Sequence, residues 1–273
     1  MKIFITYGDE NFKKQRENAI KLAKKNGNFD KTILYLPSDI DKEFYEKNKN
    51  ILSQKRGGGY WLWKPYFIVK TLEKMKEGDY LFYSDAGAFF RKNVDLLINE
   101  LKSVNQDIMG FQLPLIELQW TKTELFKNMN CMDEFYKESN QMLASYILIK
   151  KTEFSLAFFE EFLEFACNEI NITDKNEINI FQDENFIEHR HDQSIFSLLY
   201  KKYKLVPFKD PTQFGKHFDA YSGLSQSLKF DIGKLYFLEN KRLYRVNKVK
   251  GNYEKIIFRS RNDKHLKKII KYN

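Results

Sequence analysis

The fold is decided by residues 80–87, Tyr-Leu-Phe-Tyr-Ser-Asp-Ala-Gly. The first four residues form a short apolar strand pattern, and the last four are the small and polar residues of a tight turn. Asp85 therefore follows directly after a buried strand. A carboxylate held in such a turn can bind a divalent ion that bridges a diphosphate, or accept a hydrogen bond from a ribose hydroxyl. An Asx-turn that only ends the strand is the structural alternative.

The residues ahead of this turn predict two parallel strands joined by a helix. Residues 2–6 and 32–36 are short apolar runs, and residues 11–25 carry apolar side chains at helical spacing. A strand, helix, strand order is typical of a parallel pair. Ligands of open α/β sheets bind beyond the carboxyl ends of the strands, which is where the sequence places Asp85.

Helices and strands continue to alternate along the chain, which predicts an α/β fold. Helices are predicted at 94–103, 152–168 and 194–203, and strands at 107–113, 142–149 and 205–208. Five phenylalanines lie on one side of the helix at 152–168, and we expect them to pack in the core. We predict one domain over residues 1–240, followed by a basic C-terminal segment at 241–273.

A glycine-rich stretch supplies the ingredients of a phosphate-binding loop. Arg56 precedes three glycines, and Lys64 stands directly before Pro65. Cations and flexible backbone ahead of a helix favour anion binding, although the spacing is neither Walker A nor G-x-G-x-x-G and an ordinary loop is the alternative. Pro65 predicts the first position of a helix that ends near residue 76, with residues 60–63 extended. Trp61 offers flat surface for a sugar or base or, alternatively, for core packing.

Two of the four histidines stand in the stretch 189–192, His-Arg-His-Asp. No cysteine accompanies them and the spacing is not that of a zinc site. Asp192 precedes a predicted helix, so a helix cap is the structural alternative to a catalytic role. The chain has no G-x-S-x-G sequence and neither cysteine has a catalytic signature.

The positive charge is confined to the end of the chain. Residues 241–273 contain 12 Lys or Arg and two acidic residues, whereas the whole chain carries a net charge of +9, so residues 1–240 are close to neutral. Residues 264–272 can form a basic amphipathic helix that contacts an anionic membrane, and a solvated surface is the alternative. The two unpaired cysteines, the absence of a signal-like N-terminus and the lack of a long apolar run predict a cytoplasmic protein, at most peripheral to a membrane.

The order of these elements resembles GT-A fold glycosyltransferases. The resemblance rests on the turn at 83–87, the strand at 141–150 and a later helix that opens with Asp-Gln. It is closest to glycogenin-like enzymes and to bacterial capsule or lipo-oligosaccharide transferases, and it runs from about residue 2 to 225. The resemblance implies a Rossmann-like mixed central sheet flanked by helices. It also implies transfer of a sugar from a nucleotide-sugar donor to a hydroxyl of a glycan or lipid-linked glycan acceptor.

The resemblance also implies roles for particular residues. Asp192 and Gln193 would face the reacting anomeric carbon, and His191 would contact the acceptor. The residues implied to bind the nucleotide sugar, including the cations and the tryptophan of the glycine-rich stretch, are Thr6, Tyr7, Gly8, Arg56, Trp61, Lys64, Ser84, Asp85, Ala86, Gly87, Ala144 and Ser145.

The chain departs from the family pattern at the metal site. Asp85 matches the first acid of the Asp-x-Asp motif, but Gly87 replaces the second, which normally makes the main metal contact. A bound Mn²⁺ or Mg²⁺ is therefore doubtful. The late metal-binding histidine of glycogenin-like enzymes has one candidate match, His217.

Two other functions are compatible with parts of the sequence. A sugar nucleotidyltransferase shares an α/β nucleotide-binding half, but it has a longer glycine- and arginine-rich loop after the first strand. A nucleic-acid-binding protein would use the basic C-terminus, but the nearly neutral body and the absence of an RNA-binding motif argue against it. We therefore expect no nucleic-acid partner.

Overall fold

A five-stranded mixed sheet forms the centre of the molecule, in a computed structural model that describes residues 1–212 and 256–259. Its strand order is β2-β1-β3-β6-β5. Strand β1 pairs in parallel with both β2 and β3, whereas β6 pairs antiparallel with β3 and β5. A separate two-stranded sheet pairs β4 with β7. The strands are β1 (Lys2–Tyr7), β2 (Lys31–Tyr35), β3 (Tyr80–Ser84), β4 (Ala88–Phe90), β5 (Ile108–Ile116), β6 (Asn140–Lys150) and β7 (Ile257–Arg259).

Among the described residues, five helices have nine or more residues, and the others are short or single turns. They are α1 (Lys13–Asn26), α2 (Lys42–Lys47), α3 (Lys49–Leu52), α4 (Gly57–Tyr60), α5 (Trp63–Leu72), α6 (Asp95–Ser103), α7 (Glu117–Trp120), α8 (Thr123–Asn128), α9 (Glu134–Lys137), α10 (Glu153–Ala166), α11 (Glu169–Ile172) and α12 (Asp192–Lys202). Two 3-10 turns occupy Glu10–Phe12 and Pro37–Asp39.

Helices cover both faces of the sheet. Residues of α5, α10 and α12 share one hydrophobic cluster, and residues of α1 and α6 share the other. The predicted packing of the α10 phenylalanines is confirmed at three positions, since Phe158, Phe159 and Phe162 are fully buried. Phe165 is only half-buried, and Phe154 is 37% exposed. The prediction of a mixed sheet flanked by helices is likewise confirmed.

Three local predictions are wrong. Residues 60–63 are not extended, because the preceding glycines allow a left-handed turn and α5 already begins at Trp63, which makes Pro65 its third residue. Helix α5 ends at Leu72 rather than near residue 76. The expected strand at 205–208 is reduced to one bridge between Phe208 and Phe111.

A short part of the basic C-terminal segment packs on the body of the protein. Strand β7 pairs with β4, and Ile256 and Ile257 are buried. The basic helix predicted at 264–272 and His217 both lie outside the described residues. Among the residues that the structure does describe, no helix is long and apolar enough to cross a membrane.

Candidate active site

The candidate site lies where β3 ends and where α5 and α12 begin. Asp85 follows β3 in a turn closed by a hydrogen bond from the Ala88 N–H to the Asp85 carbonyl oxygen, 3.1 Å apart. The Asp85 N–H donates to the Ser145 carbonyl oxygen at 2.7 Å, which ties the turn to β6. Ser84 is buried and its hydroxyl donates to the Asp85 carbonyl at 3.0 Å. The turn is therefore held rigidly by backbone contacts.

Lys64 joins the two acidic residues of the site. Its ammonium lies 2.5 Å from Asp192 Oδ2 and 3.5 Å from Asp85 Oδ1. The Lys64 side chain is only 3% exposed, against 34% for the Asp85 carboxylate. Asp85 Oδ1 also accepts a hydrogen bond from the Tyr83 hydroxyl at 2.5 Å. The buried cation thus holds two carboxylates from distant parts of the chain in one place, with Asp85 facing solvent.

Burial and these charges shift the pKa values of the cluster. Burial raises the pKa of Asp192 to about 6, although Lys64 limits the rise. Burial alone would lower the pKa of Lys64, but the Asp192 and Asp85 carboxylates outweigh it and raise that pKa. Burial and then the charge of Asp85 raise the pKa of the Tyr83 hydroxyl well above its usual value. Lys64 is therefore charged at neutral pH, and the pKa of Asp192, about 6, lies close to neutral pH.

Gln193 follows Asp192 and reaches β6. Its Oε1 accepts a hydrogen bond from the Ala144 N–H at 3.4 Å, and its Nε2 donates to Gln141 Oε1 at 2.8 Å. The Ser145 hydroxyl accepts from the Arg259 guanidinium at 3.1 Å. Ala144, Ser145, Asp192 and Gln193 are thus brought together with Asp85 and Lys64.

The glycine-rich stretch forms a left-handed turn. Gly57, Gly58, Gly59, Tyr60 and Trp61 all have positive φ angles, from 49° to 94°. Glycine adopts such angles freely, but for Tyr60 and Trp61 they cost on the order of 1–2 kcal/mol each. The turn carries the Trp61 ring onto the His191 imidazole, with centroids 5.2 Å apart.

Asp174 ties this turn to the segment before α12. It accepts from the Tyr60 hydroxyl at 2.9 Å and pairs with the Arg56 guanidinium at 3.0 Å. His191 is buried, which lowers its pKa to about 4, and its Nδ1 lies 2.8 Å from the Ile172 carbonyl oxygen. The structure places Arg56 and His191 in this flanking cluster, and no described contact links either to Lys64.

Thr6 and Tyr7 end β1, the strand beside β3, and Gly8 follows directly. Tyr7 stacks on Trp63 with centroids 3.9 Å apart, and burial raises its pKa to about 12. Gly8 contributes its carbonyl to Arg16, 2.6 Å away. The Thr6 hydroxyl is buried with no hydrogen-bond partner among the described residues. Ala86 is buried in the turn and Gly87 is partly exposed, so both stay next to Asp85.

The residues near Asp85 do not form a metal site of three or more ligands. Within residues 1–212 and 256–259, no group of three His, Cys, Asp or Glu residues can hold an ion. Asp85 offers a carboxylate, but the Lys64 ammonium 3.5 Å away repels a second cation. A weakly held ion is compatible with one carboxylate, whereas the donor set does not fit a tightly bound metal.

Three residues of the site were not predicted to act in it. Tyr83 opens the turn at 83–87, but the sequence assigned it no role, whereas its hydroxyl orients Asp85. Asp174 lies in a polar loop, and Arg259 belongs to the basic C-terminal segment. For Tyr83 the position two residues before Asp85 is a usable signal, because alternate strand residues share one face. The other two depend on long-range contacts.

A concave pocket of about 550 Å³ lies away from this cluster, between β5, β6 and the C-terminal end of α12. Its lining includes Phe135, Met142 and Lys204, and it contains none of the residues predicted for the site. The candidate site is thus defined by its charged side chains and its place at the sheet edge rather than by cavity volume.

Comparison with known proteins supports the fold. No family model matches the sequence, and no curated protein sequence matches it. Mouse xyloside xylosyltransferase 1 in its apo form has a similar structure, with a TM-score of 0.50 at 9% identity over 96% of this chain and 98% of that one. This likeness confirms the predicted GT-A-type fold.

Two other solved structures show weaker similarity. The glycosyltransferase GlyE of Streptococcus pneumoniae has a TM-score of 0.45 at 13% identity, over 96% of this chain and 55% of that one. An active-site mutant of LgtC has a TM-score of 0.39 at 14% identity, over 73% of this chain and 70% of that one.

Proposed function

We propose that this chain is a glycosyltransferase that moves a sugar from a nucleotide-sugar donor to a hydroxyl of a glycan acceptor. The observation that carries the proposal is the buried Lys64 ammonium, held between Asp85 and Asp192 at the carboxyl end of β3. Open α/β sheets bind nucleotides at this edge. Burial of a cation with two carboxylates costs desolvation free energy. Buried ionisable clusters of this kind, with shifted pKa values, are concentrated at functional sites.

Sugar transfer requires a site that stabilises the negative charge of the departing diphosphate. The Lys64 ammonium lies in a low-dielectric environment 3.5 Å from the partly exposed Asp85, so it offsets the charge of that carboxylate and reduces its repulsion of a bound diphosphate. Asp85 accepts hydrogen bonds from hydroxyl groups of the donor. Tyr83 keeps its carboxylate in one orientation through Oδ1. Electrostatic preorganisation is thus the main contribution of this part of the site.

Asp192 and Gln193 act at the reacting centre in this proposal. With its pKa raised to about 6, Asp192 is ionised at neutral pH but close enough to titration to exchange a proton with an acceptor hydroxyl. The Gln193 carbonyl oxygen lies beside Ala144 and supplies a partial negative charge where positive charge develops on the sugar.

The acceptor we propose is a bacterial surface glycan, of the capsule or lipo-oligosaccharide type, carried on a lipid. A basic C-terminal segment suits such a substrate, because each basic residue near an anionic membrane contributes about 1 kcal/mol of binding. We expect the full chain to co-sediment with anionic liposomes at low salt, and deletion of residues 262–273 to abolish this. If the full-length protein stays in the supernatant, the proposed membrane contact is wrong, whereas the proposed transferase activity is unaffected.

Thermal denaturation with a panel of nucleotides tests the proposed donor site. We expect one of UDP, GDP or CMP to raise the melting temperature in a concentration-dependent manner, because a ligand that binds only the folded state stabilises it. Mixed-sequence RNA serves as the comparison, with binding titrated against salt. Stabilisation by RNA alone, with no response to any nucleotide, would instead favour nucleic-acid binding.

A further inference from the structure

A hydrogen-bonded chain of two glutamines connects a buried carboxylate to the candidate active site. Gln141 Nε2 lies 3.1 Å from Glu117 Oε1, and Gln141 Oε1 lies 2.8 Å from Gln193 Nε2. Gln193 Oε1 then lies 3.4 Å from the Ala144 N–H. Glu117 and Gln141 are fully buried, whereas Gln193 is partly exposed at the site. We call the three side chains Glu117, Gln141 and Gln193 the amide relay.

Glu117 can only accept hydrogen bonds in this environment. The Thr121 hydroxyl donates to Oε1 at 2.5 Å, and the Ser197 hydroxyl donates to Oε2 at 2.5 Å. The Lys201 ammonium also contacts Oε2 and forms an ion pair with it. An ionised carboxylate beside a buried ammonium has acceptor capacity only, so the fourth group that faces it must be a donor.

This requirement sets the orientation of both amides. The amide of Gln141 must present Nε2 to Glu117, which leaves its Oε1 to face Gln193. Gln193 must in turn present Nε2 to Gln141, which directs its Oε1 to the opposite side. There the Ala144 backbone supplies an N–H, a group that can only donate. The acceptor at one end of the relay and the donor at the other therefore demand the same direction of hydrogen bonding.

We propose that Glu117 and Gln141 are positioning residues that hold the Gln193 amide with its carbonyl oxygen, rather than its NH2 group, at the reaction centre. The inference rests on the proposed function, since it gives the reason why the Gln193 oxygen is available to the donor sugar. An amide is nearly symmetric in shape, so an unconstrained Gln193 can rotate and present its partially positive NH2 group. That group would repel positive charge that develops on the sugar during transfer.

The first test observes the relay itself in the full-length protein. The ¹⁵N-labelled side-chain amides of Gln141 and Gln193 are assigned by the signals lost in Gln141→Met and in Gln193→Met. We expect Gln141→Met to shift the Gln193 side-chain signals, because their hydrogen-bond acceptor is removed. Glu117→Gln should shift both sets. Gln193 signals that are unchanged in Gln141→Met overturn the proposal.

The second test measures the effect on turnover of the nucleotide sugar that the wild-type protein consumes. We expect Gln141→Met to lower kcat by about tenfold or more while the KM for the donor stays within about twofold, as for other residues that orient a group in direct contact with substrate. Gln119→Met is the matched control, since Gln119 is a buried glutamine of the same short helix as Glu117. We expect it to retain wild-type kcat. Equal kcat in the two variants overturns the proposal.

The two tests separate this inference from the proposed function. Glu117→Gln leaves Lys201 without its ionic partner and is expected to destabilise the protein, whereas Gln141→Met keeps the contacts of Glu117 with Thr121, Ser197 and Lys201. Gln141→Met is therefore the decisive variant. If the wild-type protein consumes no nucleotide sugar, the proposed function fails, and the NMR coupling still decides whether the relay orients Gln193.

Discussion

At the scale of single residues, Lys64 organises the site because it is the buried cation that both carboxylates share. Asp192 belongs to a helix 128 residues away along the chain, yet its carboxylate lies 2.5 Å from the Lys64 ammonium. Removal of one partner from a buried pair costs about 3–5 kcal/mol, because the other charge is left uncompensated. The three side chains therefore act as one unit, and variants at Asp85 disturb it least since that carboxylate is the most exposed.

The raised pKa of Asp192 predicts how activity depends on pH. We expect kcat/KM for nucleotide-sugar turnover to fall as the pH is lowered through about 6, because protonation removes the negative charge that pairs with Lys64. In Asp192→Asn the residual rate should lose this inflection. A wild-type profile that is flat from about pH 5 to 7.5 would contradict the assignment.

The raised pKa of Asp192 also determines how the stability of the folded protein changes with pH. The pKa of Asp192 rises from 3.8 to about 6 on folding, so the folded state binds more protons than the unfolded state between those values. Stability contributed by Asp192 is therefore lost as the pH rises through that window, and Lys64 limits this loss.

At the scale of elements, the left-handed turn at Gly57–Tyr60 sets the position of Trp61 and the start of α5. A side chain at Gly59 would place its Cβ 2.7 Å from the Leu52 Cα, whereas at Gly58 the nearest atom would be 3.8 Å away. Both glycines have positive φ angles, 58° at Gly58 and 94° at Gly59. The two positions thus share the conformational demand but differ in free space.

These two glycines give a matched pair of substitutions. We expect Gly58→Ala to lower the free energy of unfolding by about 1–2 kcal/mol, through backbone strain alone. Gly59→Ala should lower it by at least about 3 kcal/mol, because the clash with Leu52 is added. Urea denaturation measures both values. Gly78→Ala serves as a control for strain, since Gly78 has a φ of 83° and no atom within 4 Å of the added Cβ. Equal losses at Gly58 and Gly59 would refute the packing argument.

The elements also explain why sequence patterns predicted the fold better than the site. Burial of alternating or helically spaced apolar residues determines β1, β3 and the faces of α10, and that periodicity is visible in the sequence. The left-handed turn is not visible in the same way, because Tyr60 and Trp61 rarely adopt positive φ angles. The Lys64 pair with Asp192 and the amide relay depend on contacts between distant segments, which local spacing does not encode.

At the scale of the whole molecule, the arrangement of charge predicts the response to metal chelation. Gly87 removes the second acid of the Asp-x-Asp pattern, and the Lys64 ammonium occupies the space beside Asp85. We therefore expect most of the activity to survive dialysis against EDTA, with added Mn²⁺ or Mg²⁺ acting only at unusually high concentration. Titration calorimetry supplies the control. Tight stoichiometric metal binding that is required for activity would contradict this account.

Release of free nucleotide from a panel of UDP-, GDP- and CMP-sugars tests the central claim most directly, when wild-type protein is compared with Asp85→Asn. We predict that the wild-type protein consumes one class of donor in the presence of a glycan acceptor. Asp85→Asn should lose about 100-fold or more of this rate, because its amide cannot replace the carboxylate beside Lys64. Its melting temperature should stay within a few degrees of the wild-type value, since the side chain is 34% exposed. Near wild-type turnover by Asp85→Asn, or no turnover of any donor by the folded wild-type protein, would contradict the account.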